Sequence, residues 1–230
     1  MTNVDFNQLA DDIFDRISSV ASSVGDAVEE ASSGLGRLSD FYQVGRDLFI
    51  SGAVTSHGGN LSVSDGRQIW ISRTGSQLGH ITTDDIIAVE WQPTTADAKA
   101  SMELIVHRAM YHAYMERQTQ QGTPFGTAAI VHAHSLKTTY QSLIKHSIIP
   151  ADSEGAFILD GEVQVFAPAA TIASAEVATI MADVVRSGGS IAVIRGHGPF
   201  AIADTLQNAY RLVSCLEYSA ALLTLLEQAG

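Results

Sequence analysis

The chain has 230 residues, 46% apolar and 17% charged, which is enough for one large domain with a full core and unlike a disordered sequence. Thirteen basic residues against twenty-five acidic ones leave a net charge of −12, which excludes the electrostatic footprint of a nucleic-acid binder and opposes binding to an anionic membrane. The single cysteine, Cys215, excludes a disulfide framework and a cysteine-rich zinc knuckle.

The charge is uneven along the chain. Residues 1–36 hold seven acids and only Arg16, a net −6. In the same segment Phe6, Leu9, Ile13, Ile17, Val20, Val24, Ala27 and Ala31 recur at intervals of three and four, one stripe of a helix. Asp5 is placed to cap it, and Asp11, Asp12 and Asp15 lie near its start, where the helix dipole favours negative charge. Gly34-Leu35-Gly36 is a plausible break. Residues 1–36 are therefore read as an acidic amphipathic extension, packing on its own domain or serving as an assembly contact. The opening MTNVDFNQLADD lacks the basic and apolar regions of a secretory signal, and no apolar run reaches the roughly 18–20 residues of a membrane span. A cytoplasmic, soluble protein is expected.

Residues 37–230 alternate strands and helices. A helix is expected over about Ser39–Ser51, with Phe41, Val44, Leu48 and Phe49 on one face. Short strands follow at Leu61–Val63, Gln68–Ser72 and Ile86–Glu90, then a helix over Ser101–Arg117, a buried strand at Ala128–His132 and a helix at Leu136–Leu143. Val163–Ala167 reads as a strand, Ile172–Val185 as a helix, Ser190–Ile194 as an apolar strand and Thr205–Gln228 as a long closing helix. This is an α/β or α+β pattern without the Gly-x-Gly-x-x-Gly turn of a dinucleotide-binding fold.

Three of the eight histidines stand out by position. His132 and His134 form a His-x-His directly after an apolar strand, and residues two apart on extended backbone point to one side. His197, in Arg195-Gly196-His197-Gly198, also follows an apolar strand. Three imidazoles at two strand ends suit a catalytic zinc, which takes three protein ligands and keeps one open position. Glu103 shares a helical face with His107; by itself that pair reads as a surface contact. The turns Ser56-His57-Gly58-Gly59-Asn60-Leu61-Ser62 and Ser72-Arg73-Thr74-Gly75-Ser76 present backbone N–H groups and hydroxyls to an anion, or are simply tight turns. His57 lies beside the first turn; His80, His112 and His146 read as surface or partly buried groups, Cys215 as a small core residue, and Trp70, Trp91 and Phe166 as packing.

The ordered series Gly-Gly-Asn-Leu-Ser, Ile-Ser-Arg-Thr-Gly, Ser-Met-Glu-Leu-Ile-Val-His, Val-His-Ala-His and Gly-His-Gly resembles the class II aldolase/adducin family from about Leu38 to Glu227. The resemblance implies a three-layer fold with a nine-stranded, mainly antiparallel sheet flanked by helices, usually assembled as a homotetramer. It implies zinc, or another divalent transition metal, on His132, His134 and His197, with Glu103 as the catalytic carboxylate. It also implies a phosphate cradle at Gly59, Asn60, Thr74, Gly75 and Ser101. The activity implied is aldol cleavage or formation of a small phosphorylated ketose, such as L-fuculose 1-phosphate, through a zinc-stabilised enediolate. The same scaffold also implies epimerase, dehydratase and decarboxylase alternatives, and a non-catalytic binding module of the adducin kind. Three positions depart from the aldolase pattern: Met102 stands for a second phosphate-binding serine, Arg73 for a proline, and Glu154 for the tyrosine that protonates the leaving aldehyde. Arg73 is then a candidate phosphate contact and Glu154 a candidate acid.

Overall fold

The computed structural model describes Arg16, Ser19, Ser22, Ser23 and residues 36–229. The apolar stripe from Phe6 to Ala31, the Asp5 cap and the Gly34-Leu35 part of the expected break lie outside the described residues. The chain divides between Ser39 and Asp40 into two compact units. In the smaller, Arg16, Ser19, Ser22 and Ser23 are helical and exposed, as polar positions of such a helix should be. Residues 36–50 are helical, and the part in the larger unit is α1 (residues 40–50).

The larger unit continues with strands β1 (Asn60–Ser64), β2 (Ile69–Ser72) and β3 (Ile86–Val89), helix α2 (Leu104–Gln120), strand β4 (Ala128–His132) and helix α3 (Leu136–Ile144). Then come β5 (Ser147–Ile148), α4 (Ser153–Ile158), β6 (Val163–Phe166), α5 (Ala175–Arg186), β7 (Ile191–Ile194), β8 (Gly198–Ala203) and α6 (Leu206–Ala229). The strands form one sheet in the order β3-β2-β1-β4-β8-β7-β6-β5. Every neighbouring pair is antiparallel except β6 with β7. The sheet thus has eight strands where the resemblance implies nine; beyond them an isolated antiparallel bridge joins Arg73 to Ala100.

Alternation along the central strands sorts the core into two layers. Ala129, Val131, Ile191, Val193 and Ala201 face one side, with Phe41, Val44 and Leu48 of α1 and Leu206, Val213 and Leu216 of α6. Ala128, Ile130, Ala192, Ile194, Phe200 and Ile202 face the other, with Val106 and Met110 of α2 and Val177, Met181 and Val185 of α5. Helices cover both faces, which is why these strands read as continuous apolar runs.

Four sequence expectations need correction. Strand β8 has no strand signal in the sequence, because its opening Gly198-Pro199 has the composition of a turn; Pro199 fits because its carbonyl, rather than an N–H, makes the local bonds. Strand β5 and helix α4 escape the periodicity because they are only two and six residues long. Helix α5 starts at Ala175, capped by the Ser174 hydroxyl accepting from Val177 N–H, so Ile172 lies before it. Finally, α6 is long and apolar enough by composition to cross a membrane, but Leu206, Ala209, Val213, Leu216 and Ala220 bury its inner side in the core.

Two polar clamps position the helices that border the strand ends. The Glu217 carboxylate on α6 accepts from the N–H groups of Lys137 and Thr138 at 2.9 and 2.8 Å and from the Thr138 hydroxyl at 2.8 Å, satisfying the open N-terminus of α3. On α2, Arg108 donates to both oxygens of Asp97 and to the Glu90 carbonyl, tying the segment before Ser101 to the helix. Glu217→Ala is expected to cost about 2 kcal/mol, because donors at a helix start lose a charged acceptor. A lower urea midpoint with an unchanged slope is the measurement that checks it. The Arg108 guanidinium holds the Asp97 carboxyl below its usual 3.8, against the upward push of burial. The unfolded chain then binds that proton at higher pH than the folded one, so the stabilisation is complete above about pH 5 and is lost as pH falls through the folded value. Asp97→Asn should therefore lower stability at pH 7 by about 1 kcal/mol and flatten the decline between pH 5 and 3, read from urea midpoints at each pH.

Candidate metal centre and substrate groove

Strand β4 ends at His132, which is fully buried, and the chain turns through Ala133 and His134 into α3. His197 sits in the tight connection between β7 and β8, with its N–H donating to the Ile194 carbonyl at 3.0 Å. Glycine is required on either side of this meeting. A Cβ on Gly198, whose φ is +152°, would come within 2.0 Å of the Ala133 carbonyl oxygen. One on Gly59, at φ +78°, would come within 2.6 Å of the His132 carbonyl oxygen. The backbones therefore approach as closely as they can, and three imidazoles meet.

The Nε2 atom of His132 lies 3.1 Å from Nε2 of His134 and 3.2 Å from Nε2 of His197. Ligands at about 2.0–2.1 Å from a tetrahedral metal would be about 3.3–3.4 Å apart, near the two distances from His132, and all three ligand atoms lie within 4.8 Å of one another. The tautomer fits too: His132 Nδ1–H donates to the Pro199 carbonyl at 2.9 Å, which leaves the Nε2 lone pair facing its neighbours. Burial, with the neighbouring His197 and His134, holds His132 well below the usual histidine range. Burial and His134 lower His197 to about 4, and burial lowers His134. Three neutral imidazoles thus converge on one point, the donor set of a divalent transition metal.

Glu103 stands at the head of α2, 4% exposed. Its Oε1 accepts from Ala173 N–H at 3.1 Å and lies 3.8 Å from His197 Nε2, while Oε2 is buried with no hydrogen-bond partner among the described residues. Burial raises its pKa above the usual carboxylate value, partly offset by the Ala173 N–H. Ala173 holds that N–H in place from a left-handed conformation, φ +48°, uncommon for a residue with a side chain.

A groove of about 160 Å³ opens over this cluster. It brings together His132, His134, His197, Glu103, Gly59, Asn60, Arg73, Thr74, Gly75 and Ser101, every predicted site residue but one. Asn60 is nearly buried, with its side-chain oxygen unpartnered among the described residues. Arg73 is half exposed and donates to Asp85 at 2.6 Å. The exception is Glu154: it lies on α4, with its carboxylate 3.9 Å from Cys215 Sγ of α6, and does not line the groove of its own chain. His57 and Met102 also line it, as do Ser76 and Ile172, which the sequence reading did not select. Ser76 completes the Arg-Thr-Gly turn and was within reach of the same reasoning; Ile172 was not, because nothing local connects it to a helix head seventy residues earlier.

His107 also needs correction. It makes no surface pair but is fully buried, neutral, with its pKa lowered to about 3 by burial, and its Nδ1 lies 2.6 Å from the Ser62 hydroxyl. His80, His112 and His146 are exposed, Cys215 is buried, and Trp70, Trp91 and Phe166 pack against the core.

Residues 39–224 match the model of the class II aldolase and adducin N-terminal domain. The L-fuculose phosphate aldolase of Methanocaldococcus jannaschii is 28% identical over 184 residues, covering 79% of this chain and 92% of that one. The methylthioribulose-1-phosphate dehydratase of Gluconacetobacter diazotrophicus is 27% identical over 199 residues, covering 80% and 90%. Among solved structures, the L-fuculose-1-phosphate aldolase from Thermus thermophilus superposes with a TM-score of 0.73 at 33% identity, over 84% of this chain and 96% of that one. With its eight-stranded sheet between two helical layers and three imidazoles at the strand ends, the chain belongs to the class II aldolase and adducin family.

Proposed function

We propose that this protein is a metal-dependent aldolase that cleaves or forms a small phosphorylated ketose. The observation that carries the reading is the meeting of three neutral imidazoles beside a buried carboxylate with one oxygen uncommitted among the described residues. Held by His132, His134 and His197, a divalent ion such as zinc would polarise a carbonyl and stabilise negative charge on oxygen. Glu103 moves the proton at the neighbouring carbon: its raised pKa suits a group that both takes and returns one, and Ala173 N–H holds Oε1 so that Oε2 is the working atom. The Thr74 and Ser101 hydroxyls and the Gly75 N–H offer donors to a phosphate, and Arg73 adds a guanidinium. The Asn60 amide, anchored on β1 beside His132, orients the substrate between them.

A dehydratase is the second reading. Glu154, the candidate acid for aldol cleavage, is away from the groove, and a dehydratase relative matches almost as well as the aldolases. A homo-oligomer belongs to either reading, since α3 exposes Leu136, Tyr140, Leu143 and Ile144 at helical spacing.

The test is to follow dihydroxyacetone phosphate by NMR in heavy water with metal-loaded protein. Exchange of one hydroxymethyl proton is expected, falling at least about a hundredfold in Glu103→Gln. His132→Ala should hold less than stoichiometric metal and give no exchange. Full metal occupancy without exchange would sink the aldolase reading, and loss of water from methylthioribulose 1-phosphate would then identify the dehydratase.

A further inference from the structure

Beneath the groove lies a buried polar group used by neither metal holding nor proton transfer. Glu103, His107 and Tyr111 follow at intervals of four and share one face of α2. Glu103 reaches the imidazoles. One and two turns further on, His107 and Tyr111 are fully buried and converge on a single atom, Ser62 Oγ of β1, at 2.6 and 2.7 Å. Asn60 and Ser62 point to the same face of β1, and the register sets Asn60 opposite His132 and Ser62 opposite Ile130. The bonds to Ser62 therefore fix α2 against the strand that borders the metal ligands.

A second line of contact runs through rings. His107 meets Phe200 edge-on, with centroids 6.3 Å apart. Phe200 in turn stacks on His132 at 3.8 Å and 12°. One residue thus touches both lines, to the carboxylate along the helix and to a metal-ligating imidazole through a phenyl ring.

Stability does not account for three polar residues here. Among the described residues the Nε2 atom of His107 is buried without a partner, and an incompletely satisfied buried network is worse for stability than apolar side chains of the same shape. We infer that His107, with Ser62 and Tyr111, is a positioning network that holds α2 in register on β1 and Phe200 against His132, so that Glu103 and His132 keep their places around the metal. The inference rests on the metal-dependent reading above.

Cobalt(II) tests it, because its visible absorption reports ligand geometry without any turnover. In His107→Leu, cobalt affinity is expected to fall about tenfold to a hundredfold, the size of effect seen when partners of metal ligands are removed. The visible band should change shape while the urea midpoint stays at or above that of the parent. The proton-exchange rate should fall about a hundredfold, with KM moving less than about threefold. His107→Asn, which returns an amide near the position of Nδ1, should restore the parent spectrum and most of the affinity. A parent-like spectrum and affinity in His107→Leu would overturn the inference, as would equal impairment of the Leu and Asn variants, since the loss would then follow packing alone. Should His107→Leu fail to fold, Tyr111→Phe removes one hydroxyl and keeps the ring: an altered cobalt band supports the network and an unaltered one overturns it. A parent protein that binds no cobalt overturns the metal reading and this inference together, whereas unaltered variants of a cobalt-binding parent overturn the inference alone.

Discussion

The site hangs on the pairing of β4 with β8. That ladder sets His132 opposite Phe200, and so brings the Pro199 carbonyl to where it takes both the Ala133 N–H at 3.2 Å and the His132 Nδ1–H at 2.9 Å. The same strand leaves the β7 turn, so the pairing that fixes His132 also delivers His197. Burial keeps the imidazoles neutral, holding His197 near 4 and His132 well below the usual histidine range. A divalent cation held among them would satisfy the three nitrogens together.

The helices around the strand ends act as clamps. Helix α3 is tied at its start to Glu217, and its Ser142 hydroxyl accepts from Gly196 N–H at 3.0 Å. One short helix therefore spans the turn after His134 and the turn before His197. Helix α2 does the equivalent work for the groove's opposite wall. Its head carries Glu103, its second turn holds the segment leading to Ser101 through Arg108, and its buried face grips β1 through Ser62. Displacing either helix would move a charged group relative to the imidazoles, and positional errors near 1 Å are enough to matter for proton transfer.

How much of this was legible depended on range. His132 and His134 share a strand end, and period two alone places them together; His197 was marked by an apolar strand and a glycine on each side. Both signals are local, and both sites lie where the sequence puts them. Glu103 was different: spacing offered only a pairing with His107, and its place at the site came from resemblance, because the Ala173 contact joins segments seventy residues apart. His107 failed in the opposite direction. A histidine four residues after a glutamate on a helix reads as half of a surface pair, and only the depth of the Ser62–Tyr111 pocket reveals that it is core. Strand β8 was hidden by Gly-Pro punctuation, although that proline supplies the carbonyl on which the His132 tautomer depends.

Charge adds a final constraint. The chain carries −12 overall, and under the proposed reading an anionic sugar phosphate must still enter the groove. Arg73 faces it, but Asp85 already takes part of that guanidinium, and Glu103 adds an acid of its own. The imidazoles contribute no charge when unprotonated. On its own the groove is close to neutral, with one cation and one acid flanking hydroxyl and N–H donors. Under the metal-dependent reading, the ion is then more than an activator of the carbonyl: its two positive charges are the largest local term favouring an anionic ligand. Those charges also favour the ionised form of Glu103 against the burial that opposes it, which couples the metal to the base as well as to the substrate.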